Sequence, residues 1–210
     1  LARDRGDGRA ALAAFRRAEA AAPEPGARLA ALVDVAHAHR LLGEYSDALS
    51  VLDEAEALAA SRADTTALQS RIHYLRGCAF FSLGDTGASE REQRRALALA
   101  KELGDPELEA RAASGLGDVA YATNRISDAR VHFTECVALA EARGLERYVA
   151  ANRVMLAYPL LVFGQAAEAI AGVEHALANA RRLGDRYVEA MALVSLGYFG
   201  TMRGAAAGVR

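Results

Sequence analysis

Residues 115–124 read GLGDVAYATN. Gly115, Gly117 and Ala120 fall at the spacing G-x-G-x-x-A, which cradles a pyrophosphate when it follows a buried strand and opens a helix. The residues before it, PELEARAAS (106–114), are helix formers with no β-branched member, so they supply no strand. The stretch needs another explanation, and its last residue points to one. Asn124 lies midway along the chain between Gly84 and Gly164.

That interval extends in both directions. Gly6, Gly43, Gly84, Asn124, Gly164 and Gly204 follow one another at steps of 37, 41, 40, 40 and 40. Glycine accepts a left-handed backbone freely, and asparagine tolerates it better than most residues. The column therefore reads as a set of helix C-caps, each turning the chain into a following helix. Seven residues before each turn stand small residues: Ala36, Gly77, Gly117, Ala157 and Gly197. Gly117 of GLGDVA is one member of this column. Five after the turn come Ala11, Ala48, Ser89, Ala129 and Ala169, and twelve after it Ala18, Ala55, Ala96, Cys136 and Ala176. Nine after it come Phe15, Leu52, Gln93, Phe133 and Val173. Small residues let helices approach and large ones fill the space beside them. Each unit is thus a helix, a tight turn and a second helix, which buries its apolar face by stacking on neighbours. The ends of the units carry signals too. Gly104-Asp105-Pro106 and Gly184-Asp185 pair a C-cap with an N-cap, Gly144 is followed by Leu145, and Pro23, Pro25 and Gly26 mark the first boundary.

Composition agrees with an all-helical chain. Of 210 residues only four are proline and 6% are aromatic, without tryptophan. The formal net charge of −2 gives no electrostatic case for nucleic acid or an anionic membrane. No apolar run reaches the roughly 18 residues of a membrane span, and no signal peptide is visible. Cys78 and Cys136 lie in helical patterns among small and apolar neighbours, as buried free thiols of a reducing cytoplasm would. The chain starts at Leu1 and stops at Arg210 in mid-pattern, so it reads as a piece of a longer protein.

The spacing of small residue, turn glycine and two alanines resembles the tetratricopeptide repeat (TPR) over essentially the whole chain. There are departures. The family's Trp position holds Leu32, His73, Ala113, Arg153 and Leu193, its closing proline is present only as Pro23, and the period is near 40 rather than the usual 34 or so. The resemblance implies a right-handed α-solenoid of TPR-like helical hairpins. It divides into a half repeat over 1–25, repeats over about 26–64, 65–104, 105–144 and 145–184, and a truncated repeat over 185–210. Residues 76–140, from RGCAFFSLGD to TECVALA, also resemble the C-terminal TPR region of bacterial multidomain adenylate/guanylate cyclase–ATPase proteins. The resemblance extends to maltose-activator-type transcription regulators. No cyclase or ATPase motif lies within the chain, so no catalytic residue carries over.

In a TPR array the first helix of each repeat lines a concave groove. The groove positions that the resemblance implies are His37, Arg40, Arg71, Tyr74, Cys78, Phe81, Arg111, Asp118, Tyr121, Tyr158 and Tyr198. Tyrosine and arginine are residues that protein interfaces favour. The Lys/Asn clamp that some TPR proteins use for a C-terminal carboxylate is absent. The expected function is a non-catalytic interaction or regulatory module of a bacterial signalling protein, binding a peptide, a protein or a neighbouring domain. The alternative is a small-molecule-sensing domain of a transcriptional regulator, or an enzyme, with its pocket in the concavity, which a polar cluster converging on an enclosed pocket would favour. No cofactor is expected. No metal is expected either: His37 and His39 point to different sides of a helix, and His132 with Cys136 makes only two ligands. The run Glu90, Arg91, Glu92, Arg94, Arg95 reads as a solvated helix face. Met191, Leu193, Val194, Leu196 and Phe199 have only AAAGVR to cover them, so self-association through this end is expected.

Overall fold

The computed structural model describes residues 2–22, 24–62 and 64–207, with only the backbone given for 2–7 and 202–207. Every regular element among them is an α-helix: α1 (Ala2–Ala21), α2 (Pro25–Leu42), α3 (Tyr45–Ala60), α4 (Thr66–Ser82), α5 (Thr86–Leu103), α6 (Pro106–Ala122), α7 (Ile126–Ala142), α8 (Glu146–Val162), α9 (Ala166–Leu183) and α10 (Arg186–Ala207). The expected turns form at Gly43, Gly84, Asn124 and Gly164, and again between units at Gly104, Gly144 and Gly184, all with positive φ. Asp105 accepts from the backbone N–H groups of Glu107 (2.9 Å) and Leu108 (3.2 Å), and Asp185 from that of Val188 (3.1 Å). Leu145 makes no side-chain cap. Pro25 opens α2 as expected, while Pro23 lies outside the described residues.

Gly6 and Gly204 do not turn. Helices α1 and α10 run straight through them. A glycine permits a left-handed cap but does not impose one, and the cap forms where a returning helix packs back on the first. The stretch GLGDVA lies wholly inside α6, so its N–H groups are spent on helical hydrogen bonds and present no phosphate cradle.

The chain divides into two compact units, Leu1–Gly115 and Leu116–Arg210. In the first, α2 packs on α1 and α3, α4 on α3 and α5, and α2 directly against α4. Its core gathers Leu29, Leu32, Val35, Leu52, Ala55 and Ile72. In the second, α8 packs on α7 and α9, α9 on α10, and α8 directly against α10. Its core gathers Phe133, Val154, Ala157, Val173, Ala176 and Phe199. Direct contact between α2 and α4 in the first unit, and between α8 and α10 in the second, sets the first helices of two successive hairpins side by side within each unit.

The repeating columns explain this packing. Ala48, Leu52 and Ala55 are buried, and so are the residues at the same three places in the next three hairpins. A Cβ on Gly117 would lie 2.4 Å from the Phe133 ring, so the small column is small because the large column fills it. In α5 it is Gln93 that occupies the large position. A Cβ on Gly77 or on Gly115 would come within 2.5 Å of its amide. Its Nε2 donates to the Tyr74 carbonyl at 3.3 Å. Ser89, in an alanine column, donates its hydroxyl to the Gly77 carbonyl at 2.8 Å. Columns weaken at the ends. Ala11, Phe15 and Ala18 in α1 are only partly buried or exposed, and Gly197 has open space beside it. One charged run differs from expectation: Glu92 is buried, because its carboxylate holds His73 Nδ1 of α4 at 2.6 Å.

Candidate functional site

In the first unit the groove positions fall on α2, α4 and the start of α6. Arg71 donates to Asp34 Oδ1 across α2 and α4 at 2.7 Å, and Arg111 pairs with Glu107 on its own helix. Both expected anchors therefore already have carboxylate partners. Arg40 is partly buried and has no ion pair among the described residues. His37 lies within the field of all three guanidinium groups. Burial first, then Arg40, Arg71 and Arg111, lower its pKa to about 4, against the opposing pull of Asp34. His37 is thus neutral at pH 7 beside three guanidinium groups, of which Arg71 faces Asp34 and Arg111 faces Glu107. Tyr74 and Cys78 are partly buried, turned toward Gln93 through a carbonyl and a sulfur, while Phe81 is exposed.

In the second unit Tyr121 of α6, Tyr158 of α8 and Tyr198 of α10 come together. The Tyr121 and Tyr158 rings meet edge to face with centroids 5.7 Å apart. Burial, with Tyr158 and Tyr198 nearby, raises the pKa of the Tyr121 phenol. The three rings line a cavity of about 560 Å³ with Val154, Met155, Ala157, Met191, Val194, Ser195 and Phe199. Apart from the tyrosines, these lining residues are not among the groove positions that the sequence suggests. The signal for them is helical spacing: Met191, Ser195 and Phe199 are four apart, and Met155 precedes Tyr158 by three. Asp118, one turn before Tyr121 on α6, is partly buried and has no hydrogen bond or ion pair among the described residues. Desolvation pushes its pKa up from 3.8 to about 7.

One set of metal-ligating side chains escapes a search by spacing within a helix. His39, Glu44 and Asp47 straddle the α2–α3 turn with ligand atoms within 4.8 Å of one another. His39 Nδ1 is already hydrogen-bonded to Glu44 at 2.8 Å, and Glu44 also carries Arg9. The group ties the turn together. Neither Cys78 nor Cys136 is in a disulfide; Cys136 is fully buried and Cys78 half-buried. Among the described residues no helix is long and apolar enough to cross a membrane.

This array of hairpins has counterparts in solved structures. The structure of aspartyl phosphate phosphatase F from Bacillus subtilis superposes on 92% of this chain with a TM-score of 0.78 at 14% identity. BtubC (BKLC) from P. vanneervenii covers 86% of it with a TM-score of 0.67 at 18% identity, and MamA protein 88% with 0.54 at 21%. The fold is an α-solenoid of TPR-like hairpins. At these identities the likeness is one of fold. The chain spans about half the length of the phosphatase, 52% of it, and 76% and 88% of the other two. No protein-family model and no curated protein sequence matches it.

Proposed function

We propose that this chain is a non-catalytic protein-interaction module of a larger signalling protein, and that the first-helix face of its first unit takes up an acidic protein segment. The observation that carries the reading is the cluster of Arg40, Arg71 and Arg111 around a neutral His37, with Asp34 and Glu107 as the counter-charges. Arg40 has no ion pair among the described residues, so a carboxylate-bearing segment would supply one, and arginine offers it bidentate hydrogen bonds. The TPR-like scaffold supports the reading as a fold that presents helix faces to proteins and peptides. An upstream cyclase or ATPase domain is the corresponding proposal for the parent protein, supported by the resemblance of residues 76–140.

The test is fluorescence anisotropy with a labelled peptide of alternating glutamate and leucine, against the same peptide with lysine for glutamate. We expect the acidic peptide alone to bind at low salt. Arg71→Glu/Arg111→Glu is expected to weaken it at least tenfold, about 1.4 kcal/mol, with an unchanged circular dichroism spectrum. A folded double variant that binds as the wild type does would overturn the reading.

Small-molecule sensing is the second reading, and the cavity of the second unit favours it by its size, about 560 Å³. Against it stands the lining, which offers phenols, thioethers and one serine rather than a convergent polar cluster.

Self-association belongs with this proposal. Leu193 is 46% exposed and Val194 74%, and Gly197 faces open space. Leu32 and Ala113, which hold the place of Leu193 in other repeats, are fully buried. Phe199, expected to be part of the sticky end, is buried instead. A concentration-dependent dimer is expected in light scattering, and Leu193→Glu is expected to abolish it. A strict monomer at millimolar concentration would remove the idea.

A further inference from the structure

The second unit offers the opposite charge. Asp118, Tyr158 and Tyr198 occupy the same register on α6, α8 and α10, at equal steps of one repeat. Tyr121 follows Asp118 by one turn, so it shares a helix face with the carboxylate. The result is one row in which a carboxylate is succeeded by two phenol rings, with a third ring beside them. All three rings are partly open to solvent, at 37%, 40% and 51% exposure for Tyr121, Tyr158 and Tyr198.

Each part of this arrangement has a chemical preference. A phenol ring presents a negative face, and several rings around one cavity attract a cation together. The Met155 and Met191 thioethers are polarisable and adaptable, suited to an alkyl stem of irregular path. The Ser195 hydroxyl donates to the Met191 carbonyl at 3.0 Å, within its own helix, so it is not held out for an anionic ligand. Asp118 does not line the cavity itself; it stands one turn before Tyr121 on α6, with no hydrogen bond or ion pair among the described residues. A cation placed beside it would favour its charged form and gain from the attraction. No described arginine, lysine or histidine supplies one.

We propose that this cavity receives a basic side chain, lysine or arginine, from an extended segment of a partner protein. The ammonium or guanidinium group would lie among Tyr121, Tyr158 and Tyr198 within the field of Asp118, and the alkyl stem would run along Met155 and Met191. This deepens the protein-binding reading for the second unit and rests on it only in taking the ligand to be a protein. The residues involved are separate from the arginine cluster, so the two can fail independently.

The experiment uses the whole chain with ¹³C-labelled methionine methyl groups. Only three methionines are present, Met155, Met191 and Met202, and substitution assigns each signal. The probes are blocked heptapeptides with a central lysine flanked by leucines, and the same peptide with norleucine or glutamate at the centre. Free n-butylammonium is the fourth probe. The lysine peptide should shift the Met155 and Met191 signals with a Kd at least tenfold below that of the norleucine peptide. Asp118→Asn should reduce that preference to threefold or less while leaving norleucine binding unchanged, and Tyr158→Leu should weaken lysine binding at least threefold. Equal binding of norleucine or glutamate overturns the proposal, as does a lysine preference that survives Asp118→Asn. Binding of n-butylammonium as tight as that of the peptide also overturns it, in favour of a small-molecule amine. None of these results bears on acidic-peptide binding at Arg71 and Arg111.

Discussion

Gly117→Leu is expected to destabilise the protein by about 3 kcal/mol, at the upper end of what overpacking a filled core costs. The reason is contact with Phe133, whose ring is fully buried and would lie 2.4–2.9 Å from a Cβ at position 117. Gly117→Ala decides between two opposing effects. Alanine gains about 1 kcal/mol in helix propensity over glycine. The displaced aromatic ring costs about 1–3 kcal/mol, so the net change is destabilising. Gly197 is the matched control. It holds the same register in α10, with nothing within 4 Å of a Cβ, so Gly197→Ala is expected to stabilise by about 0.5–1 kcal/mol. Urea denaturation of the three variants checks the reversal of sign. If Gly117→Leu leaves the midpoint unchanged, the account of the columns is wrong.

Asp118→Asn is expected to stabilise the protein at pH 8 by about 2 kcal/mol and to change little at pH 4. The carboxyl titrates near 7 when folded, against 3.8 for an unperturbed aspartate. Between those values the folded chain holds a proton that the unfolded chain has released. Stability therefore falls as pH rises from about 4 to about 7, and then stays low. The full shift corresponds to about 4 kcal/mol, and the partial exposure of Asp118 reduces it to about half. His37 works in the opposite sense. Its folded pKa of about 4 lies below the reference 6.5, so its contribution is lost as pH falls from about 6.5 to 4. The wild type should consequently show a flat profile over this range, and Asp118→Asn should expose the acid-side loss due to His37. Denaturation midpoints between pH 4 and 8 test this. An Asp118→Asn variant less stable than the wild type at pH 8 would mean that the carboxylate is satisfied in the native protein.

Much of this architecture can be read from spacing, because a turn and the residues packed around it repeat together. Gly43, Gly84, Asn124 and Gly164 are legible for that reason, as are the buried columns that follow them. Gly6 and Gly204 are not, since sequence records tolerance of a left-handed turn and not the presence of a helix to turn toward. Glu92 reads as solvated because its partner, His73, lies on a different helix. Gly115 stands outside the repeating columns, and its neighbour, Gln93, is not legible because it is a polar residue in an otherwise apolar column. At the candidate faces, register brings Tyr121, Tyr158 and Tyr198 together. It does not reveal that Arg71 and Arg111 have carboxylate partners or that Asp118 lacks a cationic one, because pairing depends on what neighbouring helices bring.

Gln93 also restricts the order in which this sequence can change. Its amide end stands where a methyl group at Gly77 or at Gly115 would lie, so alanine at either position requires the Gln93 side chain to swing aside or residue 93 to be shortened. Shortening it first leaves a void between two glycines and forfeits the bond to the Tyr74 carbonyl. Positions 77, 93 and 115 are therefore coupled: the effect of a substitution at one depends on what stands at the other two. The two glycines thus have a packing reason to be glycine that involves no ligand.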